Sequence, residues 1–212
     1  MRFQMADLPP DLRYKIMASS VTPRPIAWIT TLSAAGARNC APFSFFNAMG
    51  GNPPTVVIGM LRRPDGSDKD TAANIRETGE FVVNLVGEWD AEAMNLTCID
   101  APPGFDEIEF AKIETALSSS VRPPRIATAP VSLECRVHTI VEPGERQMIT
   151  IGQVQTAHIR DEFILDAERL HLNTPAMRLI GRMHGAGWYA RTTDLFHMER
   201  PSWAALQAAS RD

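Results

Sequence analysis

Short runs of β-branched and aromatic residues, punctuated by Gly and Pro, set the pattern of the first third of the chain. Ile26-Ala27-Trp28-Ile29-Thr30-Thr31-Leu32 predicts a strand, and Ala34-Ala35-Gly36 turns it into a second over residues 39–46. A nearly continuous apolar run over 55–60 predicts a third strand and residues 81–86 a fourth. Between them, residues 71–78 form a short helical pattern that stops at Gly79. A second helix is expected over 90–98, broken by Pro102-Pro103-Gly104, and residues 105–117 read as acidic and partly helical. Residues 131–141 alternate, with Val131, Leu133, Cys135 and Val137 on one face and Ser132, Glu134, Arg136 and His138 on the other. That is the signature of a half-buried strand. After a turn at Glu142-Pro143-Gly144-Glu145, residues 147–159 are long enough for an extended strand, with Gly152 marking a bend or bulge.

Antiparallel strands at short spacing, interrupted by a few helices, predict a mainly β protein: a closed or partly closed barrel with helical insertions. Strands do not alternate with crossover helices, which argues against a doubly wound sheet. The 212 residues suit one domain with a sizeable core, with 1–12 and 198–212 as peripheral extensions. There is no internal repeat.

Charge and composition narrow the function classes. The formal net charge is −4 and no Lys/Arg run stands out, so nucleic acid is not an expected partner. No apolar stretch approaches the ~20 residues of a membrane helix, and the N-terminus lacks a signal-peptide pattern. Cys40, Cys98 and Cys135 are widely spaced and odd in number, as expected of buried free thiols in a reducing cytoplasm. The five histidines show no ligand spacing, so no metal site is expected. Gly-x-Gly-x-x-Gly, Walker A, His-Glu-x-x-His and Gly-x-Ser-x-Gly patterns are absent from the sequence.

Four segments carry candidate chemistry. Lys69-Asp70-Thr71 opens the 71–78 helix after the loop Arg63-Pro64-Asp65-Gly66-Ser67. A helix N-terminus offers unpaired N–H groups and a positive dipole end, to which Lys69 adds a charge and Thr71 a hydroxyl, making a phosphate seat. The same residues also fit an ordinary helix start, with Asp70 as N-cap and Lys69 solvated. Asn39-Cys40-Ala41-Pro42-Phe43-Ser44-Phe45-Phe46-Asn47-Ala48 sets three aromatics beside small polar groups, and Pro42 suggests an edge or kink. Such a segment suits a flat heteroaromatic ring with a polar rim, or else a core strand. In Thr22-Pro23-Arg24-Pro25 the arginine is held on stiff extended backbone. Beyond it, Thr30 and Thr31 face opposite ways, so only one can face a pocket. Gly181-Arg182-Met183-His184-Gly185-Ala186-Gly187-Trp188-Tyr189 permits close backbone approach to a ligand or a second subunit, or is a glycine loop with a solvated histidine.

In this order and spacing, these segments resemble the flavin reductase-like family of FMN-binding split barrels, from about Tyr14 to Leu195. The resemblance implies a six-stranded antiparallel Greek-key barrel, a homodimer, and FMN near the subunit interface. It implies that Thr30, Ser44, Lys69, Asp70 and Thr71 hold the ribityl phosphate. It also implies that Phe45, Phe46, Asn47 and Ala48 lie along the isoalloxazine, with His184 (a candidate catalytic residue) and Tyr189 close to the ring.

The expected function is an FMN-dependent oxidoreductase in the cytoplasm that takes hydride from NAD(P)H as co-substrate. The flavin carries the redox chemistry, which accounts for the lack of an acid–base dyad. Reduced flavin would feed a partner monooxygenase, or stay bound and serve another acceptor. Two alternatives share the pattern: a flavoredoxin-like FMN carrier exchanging electrons with a protein, and a non-catalytic module for haem or another flat cofactor.

Overall fold

The protein was analysed as a computed structural model that describes residues 1–203 and 207. Seven strands form one antiparallel sheet: β1 (Ala27–Leu32), β2 (Arg38–Phe43), β3 (Phe46–Gly51), β4 (Pro54–Leu61), β5 (Glu80–Leu85), β6 (Val131–Gly144) and β7 (Gln147–Ile159). Their order is β2-β1-β5-β6-β7-β4-β3. The two edge strands, β2 and β3, are consecutive in the chain and separated only by Ser44 and Phe45. One length of chain therefore pairs with β1 in its first half and with β4 in its second, curling the sheet into a barrel. The Gly59 N–H donates to the Phe45 carbonyl at 2.7 Å inside that break.

This break corrects two expectations. The strand expected over 39–46 ends at Phe43, and the sheet has seven strands rather than six, because the chain kinks at Ser44 and changes partner.

Helix α1 (Pro10–Ser20) precedes the barrel and was not anticipated. It starts with Pro at its first position, where the missing N–H costs nothing. It buries only Ala18, so it lacks the apolar stripe that would betray it in sequence. Helix α2 (Asp70–Thr78) links β4 to β5 and buries Ala72 and Ile75 among Ile29, Ile58, Met60, Phe81, Val83 and Met148. It ends, as expected, at Gly79, whose φ of 69° is the left-handed C-cap conformation open to glycine. Helices α3 (Ala91–Leu96) and α4 (Glu107–Phe110) cover the other side of β1. There Trp28, Cys40, Met94, Ile108 and Ile126 make a second core. Strand β1 is thus buried on both faces. The Trp28 indole N–H donates to Thr97 Oγ1 at 2.9 Å, and Asn84 Nδ2 donates to the Trp28 carbonyl at 2.9 Å.

The half-buried reading of β6 fails at its start. Ser132 and Glu134, on the supposed solvent face, are buried. A strap through Ser119 and Ser120 covers them, and the Glu134 carboxylate accepts from those two N–H groups at 2.7 and 2.5 Å. In β7 the bulge expected at Gly152 is present as a register shift against β6. A Cβ there would stand 2.4 Å from the Phe81 ring, so only glycine lets β7 pass over that core aromatic.

A three-stranded sheet of Arg24–Pro25, Ile180–Arg182 and Tyr189–Arg191 closes the structure near the start of β1. Of the expected peripheral extensions, residues 1–12 carry the Met5–Asp7 turn of 3-10 helix and the start of α1. Residues 204–206 and 208–212 lie outside the described part.

Candidate functional site

A cleft of about 180 Å³ opens where β2, the loop leading into α2 and residues 97–101 after α3 meet. Its centre is the N-terminus of α2. Lys69 is extended at the N-cap, with φ −73° and ψ 161°, and no side chain caps the helix. The first intrahelical bond runs from the Ala73 N–H to the Lys69 carbonyl at 2.9 Å. The N–H groups of residues 70–72 precede that ladder and point out of the positive end of the helix.

Asp70 does not serve as the N-cap. It is the first helical residue, one position too late to reach back to the helix N–H groups. Its carboxylate accepts instead from Arg63 at 3.3 Å and from the Gly104 N–H at 2.7 Å, tying the loop over 100–104 to the helix. Lys69 Nζ donates to Asp100 at 3.0 Å and is half exposed. Thr71 is buried, and its hydroxyl oxygen accepts from Asn39 Nδ2 at 2.8 Å, which leaves its own proton to donate. Asn39 and Asn74 both also donate to Thr31 Oγ1, at 3.1 and 3.0 Å, fixing α2 against β1 and β2.

Glu107 lines the same cleft and accepts from the Cys40 N–H at 3.0 Å. Burial pushes its carboxyl above the ordinary range. The Cys40 N–H opposes that shift, and the charges of Asp70 and Asp106 add to it.

The cleft continues into a smaller pocket of about 80 Å³ that shares Pro42, Phe43 and Cys98 with it. Ile26, Ser44, Met94, Arg182 and Tyr189 complete that pocket. Together they make a groove with Lys69 at one end and Tyr189 at the other. Ser44 Oγ accepts from Arg24 Nε at 3.2 Å. Buried Arg24 donates further to the carbonyls of Ala18, of Val21 at 3.0 Å and of Met183 at 3.2 Å. This one guanidinium joins the end of α1, the β2–β3 kink and the late loop.

Of the residues singled out in the sequence, Ser44, Lys69, Asp70, Thr71 and Tyr189 line this groove. The others do not. Thr30 faces the second core, where its hydroxyl donates to the Pro124 carbonyl at 2.5 Å; Thr31 is the threonine on the α2 side. Phe45, Phe46, Asn47 and Ala48 lie past the kink, which carries them to the other sheet edge. Phe45 packs on Tyr14 of α1 with ring centroids 5.7 Å apart, and Phe46 packs on the barrel core. Asn47 and Ala48 are exposed on β3. His184 stacks on Trp188 at 6.3 Å in an exposed loop, outside both linings. The sequence reading missed Glu107 as a groove residue, and it passed over Asn39, Arg63 and Arg182 inside segments it had marked. Cys98, expected to be buried, is exposed at the groove; Cys40 and Cys135 are buried.

Comparison with known proteins agrees with this architecture. The chain is 41% identical over 209 residues to an uncharacterized protein of Deinococcus radiodurans, spanning 97% of this chain and 92% of that one. The crystal structure of 2-nitrobenzoate 2-nitroreductase NbaA from Pseudomonas fluorescens superposes with a TM-score of 0.87 at 34% identity, covering 96% of this chain and 98% of that one. Nitrilotriacetate monooxygenase component B from Bacillus cereus superposes with a TM-score of 0.86 at 28% identity, over 93% and 98% of the two chains. The model of the flavin reductase like domain matches residues 17–174, which hold the seven-stranded barrel and α2, and the chain belongs to that family.

Proposed function

We propose that this protein is an FMN-dependent oxidoreductase that takes hydride from NAD(P)H. The observation that carries the reading is the uncapped N-terminus of α2, with Lys69, Arg63 and Thr71 around it, opening onto a groove that continues to Tyr189. A phosphate dianion fits that end. It would meet the leading N–H groups of α2, the Thr71 hydroxyl and two cations. Lys69 would exchange its exposed partner Asp100 for the phosphate, a small loss because exposed ion pairs are weak. One compact phosphate seat favours FMN over FAD as the resident cofactor. Pro42 and Phe43 offer apolar wall along the groove, and Ser44 and Tyr189 offer polar contacts toward its far end.

When bound, flavin accepts hydride and hands the electrons on. The protein's part would be to hold the phosphate at the N-terminus of α2 with Lys69, Arg63 and Thr71, and to keep the groove wall in place through Arg24. Release of reduced flavin to a monooxygenase is favoured by the likeness to a monooxygenase component B. Retention of the flavin to reduce a small acceptor directly is favoured by the likeness to a nitroreductase. We place the protein in the cytoplasm, working as a homodimer. Among the described residues no helix is long and apolar enough to cross a membrane, and no group of His, Cys, Asp or Glu gathers as a metal site.

Anaerobic mixing of FMN-loaded protein with NADH and with NADPH tests the reading. Loss of the flavin's visible absorption with at least one coenzyme is expected. An FMN complex that neither coenzyme reduces would overturn the hydride step and favour an electron carrier. Mass spectrometry of the heat-released ligand from purified protein should find FMN; haem or FAD as the main species would overturn the cofactor.

A further inference from the structure

Beyond Arg191, at the end of the three-stranded sheet, the chain leaves the body of the protein. The Thr192 hydroxyl still donates to the Leu179 carbonyl at 3.0 Å. Residues 193–200 have no regular secondary structure, and among the described residues they make no hydrogen bond and no ion pair. A segment with so few contacts is ordinarily polar. This one is not: Leu195, Phe196 and Met198 are 67%, 86% and 77% exposed. Single apolar side chains on a surface need no explanation, but three within four residues on an unpaired arm mark a contact. Asp194 and Glu199 flank them, neither with an ionic partner among the described residues.

A second unpaired surface lies on the barrel, outside the flavin groove. Between α1 and β4, Tyr14, Met17 and Leu61 are about half exposed around Phe45. Two cations border this surface. Arg13 lines it, and Arg146 lines the pocket that adjoins it through Tyr14 and Leu61. Arg13 donates only to the carbonyls of Leu8 and Ala6, at 2.7 and 2.8 Å. The Arg146 side chain has no hydrogen bond or ion pair among the described residues. An apolar cluster between two unpaired acids thus has its complement in an apolar groove between two cations without counter-charges.

We propose that residues 193–199 of one copy lie in the α1–β4 groove of a second copy, with Phe196 as the apolar anchor and Asp194 and Glu199 against Arg13 and Arg146. Extended, these residues reach roughly 23 Å, enough to run along α1, whose eleven residues rise roughly 16 Å. In a two-fold pair each arm and each groove is used once, so the assembly closes at two copies. The arm follows the strand that carries Tyr189, so seating it ties one wall of the flavin groove to the partner subunit. This rests on the homodimer proposed above and names the segment that builds it.

The test is cross-linking between separately made full-length chains, each carrying Cys98→Ser to remove the exposed native thiol. One chain carries Phe196→Cys and the other Met17→Cys. After mixing and exchange, a short bis-maleimide should join unlike chains, well above the yield when Leu165→Cys, exposed on another strand, replaces Met17→Cys. In sedimentation equilibrium, Phe196→Glu with Met198→Glu should weaken the dimer by about 30-fold or more, the loss of one interface anchor. Melting curves check that each variant is folded. Absence of the mixed cross-link, or a dimer unmoved by Phe196→Glu with Met198→Glu, would each overturn the arm's place while leaving the native dimer standing. A cross-link found only within single chains that carry both Phe196→Cys and Met17→Cys would overturn it too, by showing that the arm folds onto its own barrel. A native chain that sediments as a monomer would remove the homodimer and the arm's role together.

Discussion

Lys69 decides between a phosphate seat and an ordinary helix start. Its ammonium lies half exposed beside the free N–H groups of α2, so its present partner Asp100 is easily given up. Lys69→Ala should weaken FMN by about 10- to 100-fold, the value of one charge-assisted hydrogen bond to phosphate. Riboflavin has the same ring without the phosphate and should lose little. Fluorescence titration of both ligands checks this; equal weakening, or none for FMN, would leave Lys69 a solvated surface residue. The cysteines argue the other way, against a covalent role. Burial pushes the thiols of Cys40 and Cys135 well up, with Glu107 and Glu134 respectively adding to the effect, so neither forms a thiolate at neutral pH. Cys98 reaches the groove, where burial raises its thiol as well and the charge of Arg182 only opposes that shift. Replacing all three with Ser or Ala should lower stability but leave the bound flavin reducible by the coenzyme. A folded, FMN-loaded triple variant that no coenzyme reduces would show that a thiol takes part.

At the scale of elements, the groove depends on how the loop before α2 is held. Asp68 receives Arg62 at 2.7 Å and Arg76 of α2 at 3.0 Å, and both arginines also reach Glu142 at the end of β6. Burial alone would raise the Asp68 carboxyl, but the two arginine hydrogen bonds outweigh it and hold the group below its ordinary 3.8. A depressed carboxyl stabilises the fold above its unfolded value and loses that stabilisation as pH falls through the folded value. This clamp is therefore complete at neutral pH, and its contribution is lost progressively as pH falls below the ordinary 3.8. Asp68→Asn should lower Tm by roughly 2–4 °C at pH 7, about the shift of 1 kcal/mol in a chain this size. The difference from the native chain should shrink toward acid. Thermal melts from pH 7 to pH 3 measure it, and a constant difference would contradict the assignment.

The elements legible in the sequence are those whose pattern is local. β1, β4 and β5 are apolar runs bounded by turn residues, β7 is a long stretch of strand length after a Pro/Gly turn, and α2 carries its own glycine stop. What escaped depends on tertiary closure. The kink at Ser44 exists because the barrel must change partner there, and it moved four expected ring contacts, Phe45 to Ala48, out of the groove. Ser132 and Glu134 look solvent-facing by alternation, yet a strap distant in sequence buries them. α1 has no stripe to read. The groove wall over 97–101 and Glu107 comes from helical insertions whose polar, irregular sequence says nothing of what they face. Lys69 to Thr71 were legible as candidates because the feature that singles them out, a helix start after a Gly/Pro loop, is itself local.

For the whole molecule, the surface past the kink is the unfinished part. β3 is an edge strand with Asn47, Ala48 and Met49 exposed, and beside it Tyr14 and Met17 of α1 and Leu61 of β4 leave apolar surface in water. The groove between α1 and β4, lined by Tyr14, Met17, Phe45 and Leu61, measures about 360 Å³. Open edges and apolar grooves of this kind invite pairing unless something covers them. A second copy is the cover we propose, and it would also return the residues after the kink to use, since Phe46 to Ala48 lie outside the groove lining of their own subunit. Sedimentation equilibrium at micromolar concentration should give twice the mass of the 23.4 kDa chain. Met17→Glu with Leu61→Glu places two like charges in the apolar groove and should shift the equilibrium toward monomer. FMN affinity of that variant then separates the two roles of the surface. Weakened binding would mean that the partner completes the flavin site. A native chain that sediments as a monomer and still binds FMN tightly would remove the dimer from this account.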